Sequence, residues 1–149
     1  MDWLSAGGAA LKSFKNESGR DLFLGYVERI SKFTSSCVQG PLKFAGEKGR
    51  KIWLCDRVAG KAVSSEVLAE LLERMQSSGV RRLGILIGGP DGFSKEQIKN
   101  LAPDFIWSFG PLTYPHELAA VVAAEQIYRA LTIQRHLPYH SGHTSYGKR

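Results

Sequence analysis

Leu22, Phe23, Tyr26, Val27, Ile30 and Phe33 recur at helical spacing, which predicts an amphipathic helix from Asp21 onward with one core-facing stripe. Residues 35–49 hold three glycines and one proline and read mainly as connection, with a short edge strand at most. A regular alternation follows. Residues 51–56 (KIWLCD) predict a strand, and Ser64 caps a helix in which Val67, Leu68, Leu71, Leu72 and Met75 share a face and Gly79 marks the end. Residues 83–88 are continuously apolar, as in a strand buried on both faces. Ser94 and Gln97 have capping-box spacing for a helix that must stop before Pro103, and residues 105–109 predict a third strand. Strand, helix, strand, helix, strand with short loops predicts an α/β fold with a Rossmann-like parallel sheet and right-handed crossovers.

The last element, from about Pro115 to Gln134 with Pro115 in its first turn, differs in kind. Leu118, Ala119, Ala120, Val121, Val122, Ala123, Ala124, Ile127, Tyr128, Ala130 and Leu131 cover nearly its whole circumference. A helix apolar all round must be buried all round. One side can meet the sheet; the other is expected to meet a second subunit, which predicts a homodimer.

Composition narrows the class. A chain of 149 residues with 43% hydrophobic content builds one core, so a single domain over residues 1–149 is expected. Cys37 and Cys55, with no CxxC, suggest neither a disulfide framework nor a zinc site and fit a reducing cytosol. The N-terminal MDWLSAGGAALKSF lacks the positive-then-apolar layout of a signal peptide, and no apolar run reaches the roughly 18 residues of a membrane span. A soluble, cytoplasmic protein without a membrane partner is expected. Net charge is +6, and the excess is uneven: six basic residues lie within 43–61, and no acid follows Glu125. Beyond that point Arg129, Arg135, Lys148 and Arg149 alternate with Tyr139, Tyr146 and three histidines. Basic residues among aromatics suit phosphate contacts and base stacking; a solvated basic surface is the alternative that charge alone leaves open. His136, His140 and His143 sit in one short tail and are read as no metal site.

Ligands of open α/β sheets sit beyond the C-terminal strand ends, where three loops are predicted: 56–62, 88–93 and 110–114. The second follows the run LGILIGGPDGF, whose Gly88 and Gly89 permit a backbone approach that a Cβ would forbid. GGPDGF lacks GxGxxG spacing and no GxxxxGK[ST] is present, so a tight turn and a ligand site both remain open.

IGGPDGFS, then WSFGPLTYPHELAAVVAAEQIYRA, then HLPYH, with LCDRVAGKAVSSEVLAELL upstream, closely resembles the SPOUT-class methyltransferases that act on N3 of a pseudouridine in bacterial 23S ribosomal RNA. The likeness covers roughly residues 51–140. It implies an α/β fold with a C-terminal deep trefoil knot, here at about residues 83–135, a homodimer, S-adenosylmethionine as cofactor, and 23S rRNA as partner, within the assembled ribosome. Carried onto matching positions, it implies cofactor contacts at Leu54, at Gly88 and Gly89, and at Phe109, Gly110, Pro111, Leu112, Thr113 and Tyr114. Most are small or apolar, so main-chain groups are expected to recognise the adenine. A pseudouridine imide N3 is a poor nucleophile until its proton leaves, so a base or a charge that stabilises the anion is needed. His116, directly after the cofactor loop, is the favoured group; Tyr139 and His140 are candidates to order the base or take its proton, and Arg129, paired i, i+4 with Glu125, to face RNA. A ribosome-binding factor without catalysis, or a nucleotide-binding module unrelated to RNA, are the rival readings. The N-terminus departs from the family pattern: it is poor in β-branched residues and lacks the clear apolar strand with which that family begins. The tail SGHTSYGKR also runs beyond the usual PYH ending.

Overall fold

The computed structural model describes residues 1–5, 14–35, 37–41, 49–88 and 92–140. Six strands, β1 (Asp2–Ser5), β2 (Cys37–Pro41), β3 (Arg50–Cys55), β4 (Lys61–Ala62), β5 (Arg82–Ile87) and β6 (Phe105–Ser108), form one parallel sheet in the order β2-β1-β5-β3-β6-β4. Helices α1 (Glu17–Ser31), α2 (Ser65–Ser77) and α4 (His116–Gln134) pack on one face, where Trp3, Trp53, Ile85, Ile87 and Trp107 meet Phe23, Val27, Leu68, Leu72 and Ile127. The other face carries a smaller core of Leu4, Ile52, Leu54 and Leu86, covered by Ile98 and Leu101 of α3 (Lys95–Leu101). Period-two alternation of the strands sets this division.

Local chemistry starts and stops the helices where the sequence indicates. Ser64 Oγ accepts from the Val67 amide at 3.1 Å, and the capping box of α3 closes both ways, Gln97 N to Ser94 Oγ at 3.1 Å and Ser94 N to Gln97 Oε1 at 2.8 Å. Asn16 caps α1 through its side chain, a start five residues earlier than the first apolar position suggests. Two stripe residues are not core: Leu22 is 52% and Val67 40% exposed, because the buried lines run one position beside them, through Phe23, Val27 and Ile30 and through Leu68, Ala69 and Leu72. Pro115 is the N-cap of α4 rather than a first-turn residue.

Two strands escaped the sequence. The N-terminus, expected to lack a clear strand, forms β1 between β2 and β5, with Trp3 and Leu4 both at 0% exposure. Burial on two faces substitutes there for β-branched propensity. Asp2, 1% exposed, pairs with Arg82 at 2.5 Å and Arg50 at 4.0 Å at the sheet's lower end. The two-residue β4 lies beyond β6, so the segment from Asp56 to Gly60 crosses β6 to reach it. That arch rests on the strand's main chain: Asp56 N donates to Trp107 O at 2.9 Å, and Ser108 Oγ donates to Arg57 O at 3.1 Å. A Cβ at Gly60 would lie 2.4 Å from Asp56 O and 2.7 Å from both Ser108 N and Trp107 C, all backbone atoms that cannot yield.

Helix α4 lies between α1 and α2 over β5. Its flanks are thus filled by neighbouring helices, so the all-round apolar composition does not of itself demand a second subunit. What stays outward is the line of Leu118, Val122, Glu125 and Arg129.

Gly60→Ala is expected to lower folding stability by about 3 kcal/mol through backbone overlap, measured by urea denaturation. A loss below about 0.5 kcal/mol would show that the arch does not bear on β6.

Candidate functional site

The tips of β5, β3 and β6 end level, with Cys55 opposite Ile87 and Trp107. Above them the arch after β3, Gly88 and Gly92 after β5 and the loop between β6 and α4 line a cavity of about 220 Å³. Its wall includes Cys55, Asp56, Gly88, Trp107, Phe109, Gly110, Leu112, Thr113, Tyr114 and His116. Parallel strands with level ends place three consecutive loops side by side, which is why the site forms here.

Ser108 ties two of the loops together. Buried at 6% exposure, its hydroxyl reaches Arg57 O and Gly110 O and accepts from Gly110 N at 3.2 Å. Asp56 Oδ2 accepts from Ala59 N at 2.8 Å and tightens the arch, while the Arg57 guanidinium reaches Pro111 O at 3.5 Å. Gly110 has φ +99°, a conformation that favours glycine. Burial, reinforced by the neighbouring Asp56 charge, pushes the Cys55 thiol far above its ordinary range, so it stays protonated and unreactive.

His116, the first residue of α4, lines the cavity, and its Nε2 is buried without a hydrogen-bond partner among the described residues. Phe14 covers it edge-on with ring centroids 6.4 Å apart. Beside it, Glu117 accepts from the Lys15 amide, so the chain ahead of α1 is fastened to the start of α4. A buried polar atom without a partner needs a ligand group or bears a desolvation cost of about 1–3 kcal/mol.

The sequence-predicted residues therefore divide. Gly88, Phe109, Gly110, Leu112, Thr113, Tyr114 and His116 meet at the cavity. Pro111 contributes its carbonyl to Arg57. Leu54 points into the smaller core on the other face, and Cys55 is the residue of that strand whose side chain reaches the cavity. Gly89 lies outside the described residues.

Arg129, Tyr139 and His140 form a second cluster. Arg129 lies thirteen residues after His116 on one helix, a rise of about 20 Å. The chain after α4 turns back at Pro138–His140 and lays both residues on it. Glu125 Oε1 accepts from Arg129 Nη2 at 2.7 Å and Nε at 2.9 Å, and from Tyr139 Oη at 3.0 Å. Arg129 Nη1 donates to His140 Nδ1 at 3.0 Å; since a guanidinium can only donate, the ring hydrogen sits on Nε2 and points to Glu66 Oε1 at 2.8 Å. This hydrogen bond holds Glu66 below the usual carboxylate range. Burial, then hydrogen bonding to the Tyr26 hydroxyl and the nearby Glu125 charge, pushes the Tyr139 hydroxyl well up, so it remains a neutral donor.

Sequence reasoning missed Ser108, Asp56 and Arg57 as site-builders. The one available signal was that Asp56 and Gly60 bracket a short loop after a strand. Among the described residues no cluster of His, Cys, Asp or Glu could hold a metal ion, and no helix is long and apolar enough to cross a membrane.

A family model described as predicted SPOUT methyltransferase matches residues 42–140. The chain is 45% identical over 134 residues to a ribosomal RNA large subunit methyltransferase H of a Psychrobacter species, covering 90% of this chain and 76% of that protein. It is 44% identical over 91 residues to the protein of that name from Magnetococcus marinus, covering 61% of this chain and 56% of the relative. Its namesake in Bartonella henselae is 48% identical over 99 residues, covering 66% of this chain and 59% of the relative. The chain thus spans less than two thirds of the length of the last two. Because the matched span contains every strand tip and loop that encloses the cavity, as well as the turn carrying Tyr139 and His140, the chain belongs to the SPOUT methyltransferase family.

Proposed function

We propose that this chain is an S-adenosylmethionine-dependent methyltransferase acting on N3 of a pseudouridine in bacterial 23S rRNA within the assembled ribosome. It is read as a cytosolic homodimer, one domain over residues 1–149, with a trefoil knot at about residues 83–135. The observation that carries the reading is the cavity at three adjoining strand tips with the buried, unpartnered Nε2 of His116 in its wall.

The cavity fits the cofactor. Trp107, Phe109 and Leu112 supply apolar walls for an adenine, and Gly88 and Gly110 leave main-chain groups within reach. Residues 109–114, Gly88 and Gly89 would hold it, with Leu54 contributing through its main chain. When bound, the cofactor supplies an electrophilic methyl group. The protonated Cys55 thiol does not compete for it. His116 takes up the imide proton, an effect worth about 10²–10⁴-fold in rate. The arch and the α4 loop exclude water from the reacting atoms. The arch over β6, held by the hydrogen bond from Asp56 N to Trp107 O, supports the knot, which would form if the chain threads beneath it on its way from β6 to α4.

The separation supports the homodimer: Arg129, Tyr139 and His140 of one chain lie about 20 Å along α4 from its own His116, and a second copy would bring them to this cavity. Val58 and Leu112 of the cavity lining are 80% and 66% exposed, and Leu118 on the outward line of α4 is 45% exposed; covering each would contribute about 2 kcal/mol. Within the composite site Tyr139, held neutral, orders the base rather than deprotonating it.

Isothermal calorimetry is expected to detect S-adenosylmethionine binding, and RNA mass spectrometry to detect one added methyl on ribosomes lacking the modification. Absence of heat at millimolar cofactor would favour an inactive ribosome binder. His116→Ala should retain cofactor affinity and lower kcat about 100-fold; an unchanged kcat removes His116 from the chemistry. Gly110→Ala, strained by about 1–2 kcal/mol, should weaken cofactor binding about tenfold. Leu118→Glu should convert the dimer seen by light scattering into an inactive monomer.

A further inference from the structure

The turn Pro138–His140 lies back on α4, which has α1 on one flank and α2 on the other. On the α1 side the Tyr139 hydroxyl reaches Tyr26, besides Glu125 Oε1 at 3.0 Å, and its ring packs on Tyr128 at 4.7 Å between centroids. On the α2 side the hold comes through His140. Arg129 can only donate, so it fixes His140 Nδ1 as an acceptor at 3.0 Å and leaves the ring hydrogen on Nε2. That hydrogen needs an acceptor, and Glu66 Oε1 supplies one at 2.8 Å from 74 residues earlier in the chain.

Helix formation does not account for this contact. An acid in the first turn of a helix is favoured by the helix dipole wherever its side chain points, and the cap of α2 is made by Ser64. Glu66 is 60% exposed and the His140 side chain 15%, so the carboxylate closes over a ring already seated, and its removal leaves no core void. The same first turn of α2 reaches the cluster a second time. Ser65 Oγ donates to Gln126 Oε1 at 2.6 Å, and Gln126 Nε2 donates to Glu125 Oε2 at 2.7 Å. The sheet locates that turn in its own right, since Ala62 of β4, paired with Ser108 of β6, lies just ahead of Ser65. Glu66 therefore connects the C-terminal turn to the frame of the sheet as well as to α4.

We propose that Glu66 is a positioning residue for methyl transfer: by holding the His140 ring it fixes the turn, and with it the orientation in which Tyr139 meets the target base. A carboxylate hydrogen-bonded to an imidazole sets direction as well as distance, and small misplacement of a reacting group lowers rate steeply. The inference rests on the methyltransferase reading and adds to it a residue that acts through His140.

The test follows methyl transfer to unmodified ribosomes by the full chain and, separately, the ring-nitrogen NMR spectrum of His140, assigned through His140→Asn. Glu66→Ala should lower kcat about tenfold, with the KM for ribosomes, calorimetric cofactor affinity and oligomeric mass unchanged and the thermal midpoint within about 2 °C of wild type. Glu66→Gln, whose amide oxygen still accepts from Nε2, should restore most of kcat, a rescue that a role through charge does not give. A protected Nε2 proton is expected in wild type and Glu66→Gln, and its loss to solvent exchange in Glu66→Ala. Unchanged kcat in Glu66→Ala would overturn the proposal. So would equal losses in both variants, which would mark a requirement for charge, or a matching loss of cofactor affinity or thermal midpoint, which would mark a structural role. If the wild type transfers no methyl group, the enzymatic reading falls by itself, and the Nε2 proton then decides the hold on the turn: its persistence in Glu66→Ala overturns it.

Discussion

The five residues from Asp56 to Gly60 that carry the chain across β6 are the constraint on which the remaining geometry depends. β3 and β4 flank β6, so their axes are two strand spacings apart, about 10 Å, and five extended residues reach only about 17 Å. With that little slack the arch must rest directly on the strand beneath. Gly60 is the point of contact, and Ser108 on β6 holds both the arch and the following loop with one hydroxyl. Main-chain contact at Gly60 and the single hydroxyl of Ser108, rather than apolar packing, thus bring two of the cavity's three walls together.

The rest of the site follows from that crossing. β6 is held between β3 and β4, and α4 begins at the mouth of the cavity with His116 as its first residue. α4 then runs between α1 and α2, which fixes its outward line and, three turns on, seats the Arg129, Glu125, Tyr139 and His140 network. The cavity is lined mainly by apolar residues and glycines, with Asp56, Arg57 and His116 among them; the distant network centres on the Glu125 carboxylate, which accepts from Arg129 and Tyr139. In the proposed function this difference suits a methyl-donor pocket, which must avoid competing nucleophiles, and an RNA-facing cluster, which must hold a polar substrate in register.

Electrostatics at the two places point the same way. Burial keeps the Cys55 thiol and the Tyr139 hydroxyl protonated, so neither supplies an anion at neutral pH. His140 has its Nδ1 lone pair on Arg129 and its Nε2 hydrogen on Glu66, so both ring nitrogens are engaged within the chain. His116 differs in having a buried nitrogen without a partner among the described residues, and this asymmetry between the two histidines emerges only from the folded chain.

The alternating strands and helices, the caps at Ser64 and Ser94, the doubly buried β5 and the loop positions of the site were all legible in the sequence. Each leaves a local trace: a hydrophobic period, a capping residue, a glycine where side chains stop. β1 and β4 left none: the four residues of β1 include no β-branched side chain, and the two of β4 are too few for a period to register. The outward facing of Leu22, the turn of Leu54 away from the cavity and the distance between His116 and Arg129 were equally invisible. A period tells that a side chain will meet apolar surroundings, but not which element provides them. For α4 the sequence determined that nearly every face had to be covered; only the tertiary structure decided that α1 and α2 cover its flanks, because neighbours in space are set by strand order, which local patterning does not encode.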